Sequence, residues 1–77
     1  MTPKELYLMD LVTLLKEKAL ASKKILDTAS PDTKAEAIGR LMAFYDVIDL
    51  MRQQARAFGI EHKELGLDDI VPERDLL

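Results

Sequence analysis

The chain has 77 residues, 32% charged and 48% hydrophobic, with three Gly, no Cys, no Trp and a net charge of −3. The lack of cysteine excludes a disulfide framework, and the single histidine, His62, excludes a histidine–cysteine zinc site. A lone domain of this size buries roughly 60% of the surface of its unfolded chain, so self-association is the expected further source of stability.

The charge is unevenly placed. Residues 1–58 hold nine Lys/Arg against eight Asp/Glu, whereas residues 59–77 hold only Lys63 and Arg74 against six acids. A balanced body with an acidic tail disfavours whole-chain attraction to nucleic acid and leaves room for a local basic patch. Uninterrupted apolar runs fall far short of the roughly 18 residues that cross a bilayer, so no membrane partner is expected. Met1-Thr2-Pro3-Lys4-Glu5 lacks the apolar stretch of a secretory signal, and a thiol-free chain of this kind is expected in the cytoplasm.

The first helix is predicted over about 3–28. Thr2 is the N-cap, Pro3 takes the first helical position, and Glu5 completes a Thr-x-x-Glu capping box. Met1 and Leu6 occupy the places of a hydrophobic staple. Ser30-Pro31-Asp32 repeats the start signal, so the second helix is predicted over about 31–58, with Gly59 as its stop. Gly39 inside it implies close packing near the hairpin tip.

The apolar spacing decides how the helices meet. Leu8, Val12, Leu15, Ala19, Ser22 and Leu26 alternate steps of four and three, as do Ala37, Leu41, Phe44, Ile48, Met51, Ala55 and Phe58. These are seams of the heptad kind. Folding at Ala29–Ser30 pairs Leu26 with Ala37, Ser22 with Leu41, Ala19 with Phe44, Leu15 with Ile48, Val12 with Met51, and Leu8 with Ala55. The fold class is therefore all-α, and residues 1–59 form an antiparallel two-helix hairpin.

At about 100° per residue, Leu11, Leu14 and Ile25 project to the same side of that hairpin as Val47 and Leu50. Met9 and Leu20 project to the other side with Ile38, Met42 and Tyr45. Two apolar flanks on one hairpin call for a partner. The predicted answer is a second copy, giving a homodimeric four-helix bundle held by Leu11, Leu14, Ile25, Val47 and Leu50. The alternative is a monomer in which the tail folds back over one flank.

Residues 60–77 alternate acids with aliphatic residues. Ile60, Leu65, Leu67, Ile70 and Val71 are expected to pack along the open end of the bundle, with one helical turn at Glu61–Leu65 stopped by Gly66. Pro72 holds Val71 out of a helix, and residues 72–77 are expected to be flexible or to order on a partner.

Chemistry is sparse. There is no activated nucleophile: Cys is absent, His62 lies past a helix end, Ser22 is in the seam and Ser30 serves as a cap. Glycines 39, 59 and 66 form no phosphate-cradling loop. Asp46 and Asp49 project away from the seam beside Asp10 and Gln53, and Glu61, His62 and Glu64 cluster in sequence. A carboxylate metal bundle on these groups is a remote alternative. No enzyme, cofactor or metal is expected.

Lys16, Lys23, Lys34, Arg52 and Arg56 share the flank of Met9, Leu20, Ile38, Met42 and Tyr45. Arg, Tyr and Met together are the composition of a protein-binding surface, and the cations suit phosphates as well. A two-helix layout that starts near residue 3, turns near 30 and ends in Arg56-Ala57-Phe58-Gly59 resembles the Rop-type plasmid RNA-binding hairpins, which dimerise into four-helix bundles. The likeness covers the hairpin's length and layout and the Arg-x-Phe-Gly stretch, and the acidic tail departs from it. It implies an RNA-binding alternative on the five cations. The leading expectation is a small non-enzymatic regulatory or adaptor protein, of the bacterial or phage inhibitor or immunity kind. It would bind another protein through an exposed face of a helical homodimer.

Overall fold

In the computed structural model, which describes all 77 residues, the first helix α1 spans Pro3–Asp27. Its start follows the capping logic: the Thr2 hydroxyl accepts the Glu5 N–H at 3.2 Å and donates to the Glu5 carboxylate at 3.0 Å. Met1 and Leu6 are both exposed, so the expected staple is not a buried contact.

The second helix α2 spans Lys34–Ala57, starting three residues later than the sequence suggests. The Ser30 hydroxyl, expected to cap the helix, is hydrogen-bonded to the Thr33 hydroxyl at 3.1 Å. Residues 30–33 then close a turn through the Thr33 N–H and the Ser30 carbonyl, and Thr33 becomes the N-cap. The helix ends as predicted. Gly59 takes φ 68°, its N–H bonds the Arg56 carbonyl, and the Ile60 N–H bonds the Ala55 carbonyl. That pair of bonds is the Schellman arrangement, and only glycine takes the left-handed residue without strain.

The two helices pack as an antiparallel hairpin along the predicted seam. Val12, Ala19 and Ser22 are buried against Ala37, Leu41, Ile48 and Ala55, with Leu15, Leu26, Phe44 and Met51 half-buried beside them. Ser22 is accommodated there because its hydroxyl bonds the Lys18 carbonyl of its own helix at 2.8 Å. The seam opens at its far end, where Leu8 and Phe58 are exposed. Gly39 is not at a close approach: a Cβ built there meets nothing within 4 Å.

The tail is an integral layer. After Glu61 a short 3₁₀ turn, His62–Leu65, is stopped by Gly66 at φ 71°, and a third helix α3 spans Pro72–Asp75. Leu67, Ile70 and Leu76, each at most 2% exposed, join Val12, Ala19, Leu41 and Ile48 in one core. The expectation of a flexible or partner-bound end at 72–77 is therefore corrected. Pro72, read as a break, sits in the first turn of α3, where its missing N–H costs nothing. The Val71 N–H is held by the Asp75 carboxylate at 2.8 Å, and the resulting turn drives Leu76 into the core.

Candidate binding surfaces

The tail lies on the flank that carries the basic residues, and two of those residues hold it there. Lys16 Nζ donates to the Gly66 carbonyl at 2.6 Å and pairs with Asp69 at 2.7 Å. Arg52 donates to the carbonyls of Leu67 at 2.9 Å and Ile70 at 2.6 Å. Backbone carbonyls in a loop have no ladder partner, and a part-buried carbonyl left unpaired is costly. Both cations thus do structural work that their sequence positions did not announce.

Further contacts close the layer. His62 Nε2 is 3.2 Å from the Arg52 carbonyl; a carbonyl only accepts, so Nε2 carries the proton. The Tyr45 hydroxyl donates to Glu73 at 3.2 Å. Partial burial, then the bond to Glu73, holds that phenol above its ordinary value. The Asp75 carboxyl is lowered to about 2, first by its hydrogen bonds from Arg74 and then by the Val71 N–H. Its partner Arg74 is correspondingly raised.

The proposed partner face is consequently divided. Lys16, Tyr45 and Arg52 are half-buried by the tail, while Met9, Leu20, Ile38, Met42, Lys34 and Arg56 remain exposed. Lys23 pairs with Asp27 at 3.1 Å. Of the five cations grouped by the sequence, only Lys34 and Arg56 are exposed without an ion pair. The five do not form one open patch.

The opposite flank has no cover. Leu11, Leu14, Ile25, Val47 and Leu50 are 37–55% exposed, all on one side of the hairpin. At its open end, Leu8, Leu11, Leu15, Met51, Phe58 and Leu65 help to line an apolar groove of about 270 Å³. The sequence reading placed Leu8 and Phe58 in the seam and did not see this groove. Its signal was that the register that pairs Leu8 with Ala55 sets Phe58 opposite Glu5, so the last seam residue of α2 has no apolar partner on α1.

The carboxylates gather nowhere. Asp46 is exposed, Asp49 accepts a bond from Gln53 at 2.7 Å, and no three His, Asp or Glu side chains lie close enough to share a metal ion. No helix is long and apolar enough to cross a membrane. Comparison with models of protein families, with curated proteins and with solved structures finds no match for this chain.

Proposed function

We propose that this chain is a non-enzymatic regulatory or adaptor protein that pairs with a second copy across its uncovered flank and binds another protein on the remaining surface. The observation that carries this reading is the asymmetry of the hairpin. The tail covers part of one flank, over Lys16, Tyr45 and Arg52, and leaves Leu20, Ile38 and Met42 exposed beside it, whereas no segment of the chain lies over Leu14, Ile25, Val47 and Leu50 on the other. Exposed aliphatic side chains gathered on one flank in this way mark an interaction site. The partner surface is then the part of the basic flank that the tail leaves open, with Leu20, Ile38 and Met42 beside Lys34. The RNA-binding alternative is weaker, because Lys16 and Arg52 are engaged with the tail.

The test is affinity capture from the native host with the unmodified chain and with Ile38→Asp/Met42→Asp, each at low and high salt. Retention of one protein by the unmodified chain at both salt concentrations, and its loss from the variant, is the expected result. Captured RNA that is released steeply by salt would favour the alternative.

A further inference from the structure

Phe58 is 77% exposed, more than any other large hydrophobic residue of the chain. It caps α2, and Gly59 turns the chain away behind it, so the ring is left at the open end of the hairpin. There it stands on the rim of the apolar groove, whose only polar lining residue is Gln54. A protruding aromatic side chain beside a groove that can hold one gives a single surface both halves of a contact. Two-fold association requires such a surface, since residue i of one copy meets residue j of the other and the reverse.

The area supports the same location. Leu11, Leu14, Val47 and Leu50 together expose on the order of 350 Å², a little under half of the roughly 800 Å² that each partner gives to a standard interface. Tyr7, Leu8 and Phe58, which are 70%, 43% and 77% exposed at the open end, supply the missing half. Towards the tip the same flank carries exposed Lys18, Glu36 and Arg40 instead.

We propose that two copies meet at the open ends of their hairpins, with Phe58 of each entering the groove of the other. This rests on the self-association proposed above and adds where the two-fold axis passes: beside Leu11, Leu14 and Leu50, not beside Ile25. The chain has no Trp, so Phe58→Trp places a single indole at the contact. Light scattering and indole emission are read along one dilution series. Emission is expected to be that of a buried indole while the mass is that of two chains, and to shift to that of a wet indole as the mass halves. Phe58→Ala is expected to weaken association at least tenfold with unchanged helicity.

A two-chain mass with a wet indole overturns this inference and leaves the self-association reading standing. A buried indole at every dilution, including those where one chain is present, means that the ring fills its own groove and also overturns it. A one-chain mass throughout, with a wet indole, overturns both.

Discussion

The guanidinium of Arg52, on α2, lies 2.6 Å from the carbonyl oxygen of Ile70, a residue that is itself 2% exposed. This bond ties the tail to the hairpin at the point where the tail enters the core. With the burial of Leu67, Ile70 and Leu76 and the Lys16 bond to Gly66, it holds the tail against the flank that carries Lys16 and Tyr45.

Leu76 supplies the sharpest test of that layer. It is fully buried in the core shared by α1, α2 and the tail. Leu76→Ala is expected to cost about 2–5 kcal/mol, the range for truncating a buried leucine. In a domain of this size each kcal/mol lowers Tm by about 4–8 °C. Deleting residues 72–77 should cost at least as much. A thermal melt on both variants checks this, and an unchanged Tm would return the tail's end to the periphery.

Arg52→Met keeps much of the side chain's bulk and removes the two bonds to Leu67 and Ile70. The loss is expected to be about 2 kcal/mol, because two part-buried carbonyls lose a charged donor. Its signature is local. Amide exchange should accelerate at Leu67 and Leu76, whose N–H groups bond the His62 and Pro72 carbonyls, while Leu41 and Ile48 keep their protection. Uniform acceleration along the chain would mean that Arg52 stabilises the hairpin itself.

Asp75 gives the tail a pH dependence. Its carboxyl is lowered from 3.8 to about 2 by Arg74 and the Val71 N–H. A carboxylate that is more acidic folded than unfolded adds stability above the unfolded value, and that contribution is lost as pH falls through the folded value. Stability should therefore decline between about pH 4 and pH 2 by more in the unmodified chain than in Asp75→Asn. Denaturant titrations across that window make the comparison, and parallel curves would remove Asp75 from the account.

The two long helices were legible because their determinants are local. Thr2, Pro3 and Glu5 start α1 within five residues, and the three-four rhythm through Leu41, Phe44 and Ile48 needs no distant partner. The tail was legible only in part: the turn ended by Gly66 and the inward Leu67 and Ile70 could be read locally, but the ordered end at 72–77 and the contacts that place the layer could not. Its structure depends on Lys16 meeting Gly66 and Arg52 meeting Ile70, contacts across 50 and 18 residues that leave no periodic trace. Pro72 was legible in principle, since proline suits the first helical turn and Asp75 follows to hold the Val71 N–H. Lys16 and Arg52 were read as cations facing a ligand, while the structure places them against carbonyls of their own chain. The bare flank was visible in projection; the groove beside Phe58 was not, because it exists only where the seam runs out.

Gly39 separates propensity from packing. It lies in the middle of α2 with open space where a Cβ would be. Gly39→Ala is expected to stabilise the fold by about 0.5–1 kcal/mol, the helical penalty of glycine. A denaturant midpoint raised at constant slope shows it. A lowered midpoint would point to a contact made only in the dimer, since nothing in the single chain opposes the methyl group.

The flank of Leu11, Leu14, Val47 and Leu50 is expected to pair two copies of the chain. Sedimentation equilibrium of the unmodified protein at micromolar concentration tests it most directly. The expected mass is twice that of the 8.7 kDa chain, falling towards 8.7 kDa only on dilution. A mass of 8.7 kDa at every concentration would contradict it.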